Sequence, residues 1–317
     1  MCKPTYQGND MPEFSVMKPS YFMEIILPDN YHTRDFLAFH HRDEKGVSEI
    51  VQQSQVKKGI IWHGVPALLT ISMEEKRAKV QLDIDGDSTL HSKNSLSLLA
   101  SHMLGLLQPV EVFESQYQKD SVIGGLISRQ AGLRIYQSAT PFEALSWAIM
   151  GQQISVSAAI SIRRRFIQAI GVKHTSGLMC HPTYQEVIQC TEQDLCQCGF
   201  SMSKAKALLN VCRMIDSGEL NLSIGNNTEG EVKSFTENLL AIKGIGIWTV
   251  NYTLLRGCNY LNGSLHGDVA VRRNLQYLLK QENKVNAEQA EKWLADFSPW
   301  KALVAAHLWR QQSSSGY

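Results

Sequence analysis

The hydrophobic pattern of this chain changes its period once. Between Tyr21 and Ile84 the apolar residues form short runs typical of β-strands, and the run from Lys79 to Ile84 alternates strictly. Beyond about Ser115 the apolar residues recur at helical spacing instead. The sequence therefore predicts an α+β fold, in which a small antiparallel sheet precedes a region built from helices.

The pattern divides the chain into three parts. Residues 1–20 form a loose N-terminal arm, residues 21–115 an α+β domain, and residues 116–317 a helical region of two lobes. Turn residues separate the strands of the second part, and two segments there have helical spacing. The predicted strands are residues 24–27, 59–62, 67–71 and 79–84, and the predicted helices are residues 35–41 and 95–107.

Helix boundaries are marked clearly in the third part. Thr140 to Glu143 has the pattern of a capping box with proline at the first helical position. Ser155 can cap the next helix, which ends at Gly171. The remaining predicted helices are residues 185–188, 204–215, 231–242, 248–256, 269–280, 287–296 and 300–310. The region is thus predicted to hold about eight helices.

Length and composition are those of an ordinary globular protein. At about 150 residues per domain, 317 residues suffice for two domains, and 44% hydrophobic against 19% charged residues is a common balance. No apolar stretch approaches the roughly 18 residues of a membrane helix, and the first residues lack a hydrophobic secretory core. We therefore expect a cytoplasmic monomer without a membrane partner. The net charge of +1 predicts no general affinity for nucleic acid, so any basic patch has to be local.

The cysteines are predicted to be reduced thiols. Their number, seven, is odd, and the chain shows no export signal. Cys190, Cys196 and Cys198 form a cluster, but they lack the paired spacing of zinc sites, so no metal and no cofactor is expected.

The segment from Leu239 to Tyr252 predicts a helix-hairpin-helix. One helix ends at Ile242, a turn with two glycines follows, and a second helix starts near Ile247. Alternate glycines allow positive φ and close backbone approach, while free N–H groups at the second helix start suit a phosphodiester. Many helix pairs turn on glycine for packing alone, so the hairpin by itself leaves both interpretations open.

An acidic residue follows this hairpin at the start of another helix. Asp268 directly precedes the apolar periodic segment that begins at Val269. A helix cap is the ordinary role of an aspartate in that position.

Together these segments resemble the helix-hairpin-helix DNA glycosylases, specifically the 3-methyladenine DNA glycosylase II branch. The likeness is carried by residues 244–257, by residues 148–159 and by the ending at 299–309. It is strong over about 140–317 and looser over 21–115. The resemblance implies that double-stranded DNA with damaged bases is the partner, and that a flipped-out alkylated purine loses its N-glycosidic bond.

The resemblance also implies roles for individual residues. Asp268 corresponds to the catalytic carboxylate, which stabilises the developing sugar cation or activates water. Aromatic side chains would hold the extruded base, and electron-rich rings favour a cationic purine. The implied base pocket consists of Trp248, Tyr252, Trp309 and Phe39. Core packing is the alternative role of the two tryptophans.

DNA contacts are implied on the hairpin and on one wedge residue. Gln153 is the expected wedge, which would fill the gap left by the flipped base. The expected contacts of the hairpin with DNA are Lys243, Gly244, Gly246 and Thr249. Lys243 replaces a proline that is usual in the family, and either contacts phosphate or ends a helix favourably. The arginines at 163–165 and 272–273 could follow phosphates or lie on a solvated helix face.

Three departures from the family pattern narrow the chemistry. Bifunctional members carry an imine-forming lysine where this chain has Trp248, so lyase chemistry is not expected. Only Cys258 follows the hairpin, so no iron–sulfur cluster is expected. Gly267 stands where a second acidic residue is usual. Two alternatives remain: a non-catalytic DNA-binding protein that keeps the hairpin, and a glycosylase for oxidised bases, which would need lysine at position 248.

Overall fold

The computed structural model describes residues 20–86, 93–225 and 227–310, so the predicted N-terminal arm lies outside it except for Ser20. The strands in these ranges are β1 Ser20–Ile26, β2 Glu49–Gln52, β3 Gln55–Trp62, β4 Val65–Met73 and β5 Arg77–Ile84. The helices are α1 Thr33–His40, α2 Lys93–Met103, α3 Val110–Tyr117, α4 Gly124–Arg129, α5 Pro141–Gly151, α6 Val156–Ile170, α7 Tyr184–Val187, α8 Glu192–Gln197, α9 Met202–Asp216, α10 Glu229–Leu240, α11 Ile247–Gly257, α12 Val269–Leu278, α13 Ala287–Ala295 and α14 Lys301–Arg310.

The five strands form one antiparallel sheet in the order β1-β5-β4-β3-β2. Alternation in β5 puts Ala78, Val80, Leu82 and Ile84 into the core, each 0% exposed. Residues of α1 and α2 complete that core, so one face of the sheet is covered by helices. The α+β fold and the strand at 79–84 are confirmed.

Short elements were missed in the sequence. The edge strand β2 spans four residues, and α3, α4 and α8 span eight, six and six, so each repeats its period about twice at most. The prediction of about eight helices is therefore too low. The helix predicted at 95–107 was too long, because α2 ends at Met103 and Gly105 adopts a φ of 70°.

The helical region has two apolar cores with α11 between them. Val250 and Leu254 of α11 belong to a core with Phe166 of α6 and Leu208 of α9. Tyr252 and Leu255, on the other side of α11, belong to a core that includes α12 and α14. The helix that begins at the hairpin is thus held from both sides, which fixes the direction of its first turn.

The caps of α5 and α6 test two predictions. Thr140 Oγ1 accepts from Glu143 N at 3.1 Å, and Ser155 caps α6 through Ala158 N, so both N-caps are confirmed. The reciprocal half of the capping box is wrong. The Glu143 carboxylate accepts from Ala139 N at 3.2 Å and turns toward Lys58 and Arg163, because those cations lie opposite it in the interior.

The sheet and the helical region meet at Gly59 of β3. Gly59 forms an isolated bridge with Cys180, and Met179 N donates to Val47 O at 3.0 Å. A Cβ on Gly59 would lie 2.4 Å from the Met179 carbonyl oxygen, so a larger residue would push the two parts of the chain apart.

Candidate active site

The hairpin between α10 and α11 has one left-handed glycine. Gly244 has a φ of 98°, whereas Gly246 is the N-cap of α11 with a φ of −108°, so the prediction of positive φ is wrong for Gly246. A Cβ built on Gly246 meets no described atom within 4 Å. The helical ladder starts with Val250 N donating to Gly246 O, which leaves the preceding N–H groups of the first turn outside it.

Asp268 is the most heavily hydrogen-bonded carboxylate next to the hairpin. Its Oδ1 accepts from Ala270 N at 2.8 Å and Val271 N at 3.1 Å, which is the cap of α12. Trp309 Nε1 also donates to Oδ1, at 3.2 Å, and Trp248 Nε1 donates to Oδ2 at 3.0 Å. Four N–H groups therefore hold the carboxylate in one orientation.

The predicted aromatic residues gather at this carboxylate. Trp248 and Tyr252 stack with centroids 5.1 Å apart and an angle of 30° between their planes. Trp248 is half-buried, whereas Trp309 is buried and its indole N–H meets Asp268. The structure thus brings together Asp268, Trp248, Tyr252 and Trp309, which we call the base pocket.

Phe39 occupies a different position from the other three rings. Its ring is covered by two guanidinium groups, with the Arg42 carbon 3.9 Å and the Arg256 carbon 4.8 Å from the ring centroid. Phe39 and Tyr252 line one cavity together with Arg42 and Trp147, which we call the inner cavity. Phe39 therefore joins the base pocket through the inner cavity, and its faces are occupied by arginines.

A buried cluster of charges forms the far wall of the inner cavity. The ion cluster consists of Glu49, Lys58, Glu143 and Arg163. Lys58 Nζ contacts both carboxylates and lies 2.7 Å from Glu143, while Arg163 Nη2 lies 2.9 Å from Glu143 and 3.2 Å from Glu49. Burial raises the pKa of Glu143, but Lys58, with His181 and Arg163, outweighs it and lowers the pKa to about 2.

Two arginines of the run at 163–165 pair with carboxylates inside the protein. Arg163 belongs to the ion cluster, and Arg164 pairs with Asp43 at 2.5 Å. Arg165 is exposed, and its Nε donates to Cys198 O at 2.8 Å. A phosphate contact therefore stays a prediction for Arg165, whereas Arg163 and Arg164 are engaged within the chain.

The predicted wedge residue lies on a short loop that is tied to the hairpin. We call residues 152–155 the wedge loop. Gln153 is exposed and has a φ of 55°. Gln152 Nε2 donates to Gly244 O at 3.0 Å and to Thr249 Oγ1 at 2.9 Å, and Lys204 Nζ donates to Met150 O and Gln152 O. The side chain of Thr249 is buried and holds this loop, so any DNA contact by Thr249 comes from its backbone N–H.

The sequence analysis missed Gln152, Arg42 and Arg256. Arg256 could have been found, because Trp248, Tyr252 and Arg256 recur every four residues and share one face of α11. Gln152 and Arg42 lie outside helices, where no period marks the direction of a side chain.

The described residues contain neither a candidate metal site nor a candidate membrane span. Within residues 20–86, 93–225 and 227–310, no group of three or more His, Cys, Asp or Glu side chains is placed to hold a metal ion. The helices of the same ranges are too short or too polar to cross a bilayer.

Comparison with known proteins gives consistent matches. The family model of the HhH-GPD superfamily base excision DNA repair proteins matches residues 146–299. A DNA-3-methyladenine glycosylase of Bacillus subtilis is 27% identical over 291 residues, which cover 90% of this chain and 95% of that protein.

Solved structures share the fold over nearly the whole chain. A 3-methyladenine DNA glycosylase from Archaeoglobus fulgidus superposes with a TM-score of 0.73 at 20% identity, covering 92% of this chain and 99% of the other. An 8-oxoguanine glycosylase/lyase of Clostridium acetobutylicum, bound to double-stranded DNA, has a TM-score of 0.67 at 15% identity and covers 89% and 91%. The same fold therefore occurs in proteins whose names give different damaged bases. The choice between such bases has to be argued from the residues of the pocket and not from the fold.

Proposed function

The chain belongs to the HhH-GPD superfamily of base excision DNA repair proteins, in the 3-methyladenine DNA glycosylase II branch, and we propose that it is a monofunctional DNA glycosylase that hydrolyses the N-glycosidic bond of alkylated purines. The observation that carries the proposal is the position of Asp268. Its carboxylate receives an indole N–H from the ring that stacks on Tyr252, so one charged group lies beside a platform for a flipped base.

Asp268 stabilises the departure of the base electrostatically. Cleavage of an N-glycosidic bond builds positive charge on the sugar, and a fixed carboxylate offsets that charge without reorganising. Three of the four donors occupy Oδ1, so Oδ2 retains more capacity to accept a proton from the attacking water or to face the sugar.

The leaving group needs little help from the protein. An alkylated purine already carries a positive charge, so it departs as a neutral base without a general acid. Trp248 and Tyr252 supply electron-rich faces, whose attraction for a cation is about 1–2 kcal/mol when water is excluded.

The oxidised-base alternative is disfavoured by the residue at position 248. A lyase that works through an imine needs an amine at this place, and the indole of Trp248 offers none. Borohydride added during turnover is therefore expected to trap no covalent protein–DNA adduct, and efficient trapping would reassign the protein to the bifunctional enzymes.

DNA binding is proposed for the hairpin and the wedge loop. Gly246 leaves open space in front of the first turn of α11, where the N–H groups and the helix dipole favour a phosphate. Gln153 projects from the neighbouring wedge loop, in a place from which it could enter the gap left by the base.

The decisive experiment is the variant Asp268→Asn with methylated duplex DNA as substrate. Asparagine caps a helix nearly as well as aspartate, so the variant is expected to fold and bind DNA. Release of methylated purines is expected to fall about a hundredfold or more, because the amide carries no charge. Asp296→Asn, an exposed aspartate after α13, is the matched control and should retain activity. Full activity in a folded Asp268→Asn protein would leave the non-catalytic DNA-binding protein as the better account.

A further inference from the structure

Arg42 lines the inner cavity and carries nitrogens that no described residue satisfies. Its guanidinium lies over Phe39 at 3.9 Å and 5.6 Å from the centroid of Trp147. Its Nε and Nη2 are buried, and among the described residues neither has a hydrogen-bond partner. Because a buried donor without an acceptor is costly, the site is built to receive an acceptor from outside the chain.

The other charged groups that line the inner cavity already have partners. Lys58 and Arg163 bridge Glu49 and Glu143 in the ion cluster, and Asp43 pairs with Arg164. Their charges and donors are therefore engaged within the chain. Among the described charged residues that line the cavity, Arg42 is the one with buried nitrogens that have no hydrogen-bond partner.

The depth of the cavity decides which purine atoms reach Arg42. The sugar is bonded to N9 and lies at Asp268, at the mouth of the base pocket. Tyr252 lies one helical turn beyond Trp248, about 6 Å of rise, and lines the inner cavity together with Arg42. N1 and the substituent at position 6 are the purine atoms farthest from N9, so they are the ones that approach the inner cavity.

From this arrangement, and resting on the proposed function, we propose that Arg42 is a specificity-determining residue that donates hydrogen bonds to an oxygen at position 6 of the flipped-out purine. A guanidinium can only donate, so it matches the keto oxygen of guanine-type bases and hypoxanthine. The 6-amino group of adenine-type bases is itself a donor and leaves Arg42 unsatisfied. The preferred substrate class is therefore the damaged 6-oxopurines.

The stacked position makes this recognition directional. Contact with Phe39 and Trp147 fixes the plane of the guanidinium, so its N–H groups lie in one orientation before the base arrives. Arg256, whose guanidinium carbon lies 4.8 Å from the Phe39 centroid, donates to Tyr136 O at 2.8 Å and adds positive potential near Arg42. That potential also favours an electronegative keto oxygen over an amino group.

The test compares two bases that carry the same methyl group and the same charge. 7-Methylguanine and 7-methyladenine are both cationic, and at position 6 the first has an oxygen and the second an amino group. Both are released from one methylated duplex, so the ratio of their release rates cancels differences in the amount of folded enzyme. In Arg42→Met the rate for 7-methylguanine is expected to fall relative to 7-methyladenine by about tenfold or more, the effect of one hydrogen bond to a charged group.

Two further variants complete the design. Arg42→Lys keeps a donor but loses the flat stack on Phe39, so a smaller shift in the same direction is expected, and this variant decides the matter if Arg42→Met does not fold. Arg34→Met removes an exposed arginine from α1, the helix that precedes Arg42, and should leave the ratio unchanged. An unchanged ratio in the Arg42 variants would overturn the inference alone. Release of neither base by the unaltered protein would overturn the proposed function as well.

Discussion

Asp268 caps α12 and is also the carboxylate for which we propose a catalytic role. Oδ1 caps the N-terminus of α12. Oδ2 accepts from the indole N–H of Trp248 on α11, and Oδ1 accepts from that of Trp309 on α14. A role as cap and a role in catalysis are therefore compatible, because the cap fixes the orientation that an electrostatic role needs.

The indole of Trp309 gives the first prediction at this scale. Trp309→Phe keeps a buried ring but removes the donor that lies 3.2 Å from Oδ1. We expect base release to fall about tenfold, equally for cationic and neutral lesions, because the carboxylate loses an orienting contact. Single-turnover rates measure the effect. Trp293→Phe on α13, whose ring packs against Phe297, is the matched control. A loss confined to cationic bases would show instead that the Trp309 ring binds the base.

The sequence was sufficient to predict that Trp248, Tyr252 and Trp309 lie near Asp268, but not how these residues contact one another. Asp268, Trp248 and Trp309 are close together as expected, yet no pattern indicated that the two indoles would donate to the carboxylate. The positions of Phe39 and Arg42 depend on the packing of α1 against α11, which is a long-range contact and leaves no local signal in the sequence.

At the scale of elements, the wedge loop pairs a strained backbone with an exposed side chain. Gln153 has a φ of 55°, which costs an L-residue about 1–2 kcal/mol. Gln153→Gly is expected to leave the free energy of unfolding unchanged or raise it by up to about 1 kcal/mol. The same variant should release bases more slowly from fully paired duplex than from a duplex with the lesion unpaired. Urea unfolding and release assays on one preparation measure both, and Gln153→Asn, which tolerates this backbone, separates strain from side-chain length. Equal slowing on both duplexes would argue against a wedge.

The hairpin gives a prediction about salt. Lys243 is exposed in the turn, and a phosphate contact there releases a counterion from DNA. Lys243→Gln should lower the slope of log affinity against log salt by about 1 and weaken binding to undamaged duplex. Lys292→Gln, an exposed lysine on α13, serves as the control. An unchanged slope for Lys243→Gln would mean that this lysine only ends α10.

Long elements were predictable, whereas several short ones, such as β2, α4 and α8, were missed. Helices such as α6 and α9 span 15 residues each and repeat their apolar positions several times, so their existence follows from the sequence. The pairing of β1 with β5 could not be derived, because strand order depends on contacts between segments that are far apart in the chain. The half-formed capping box at Thr140 has the same origin, since Glu143 is drawn to Lys58 from the sheet.

For the whole molecule, buried histidines predict loss of stability in mild acid. Burial lowers the pKa of His181 from 6.5 to about 4 and that of His307 to about 3. Below pH 6.5 these histidines bind protons in the unfolded chain but remain neutral in the folded chain. Their contribution to the free energy of unfolding is therefore complete above pH 6.5 and declines as the pH falls. Glu143, with its lowered pKa, adds a further loss from pH 4.5 toward 2.

Urea unfolding at several pH values measures this dependence. Between pH 6.5 and 4.5 the two histidines together should reduce the free energy of unfolding by on the order of 5 kcal/mol. His181→Gln and His307→Gln should each flatten the decline, whatever their effect at neutral pH. A free energy that stays constant from pH 7 to pH 5 would contradict the prediction.

The ion cluster also bears on how such a chain can evolve. Lys58 lies on the sheet and Glu143 on a helix 85 residues further along, yet they share one buried site. Replacing Lys58 alone would leave Arg163 as the partner of both Glu49 and Glu143. Breaking a buried ion pair lowers the free energy of unfolding by about 3–5 kcal/mol. Such a substitution can therefore persist only if a second one, in the helical region, restores the balance of charge. The sheet and the helical region are expected to be inherited as one unit, because recombination between them would join segments whose buried charges do not match.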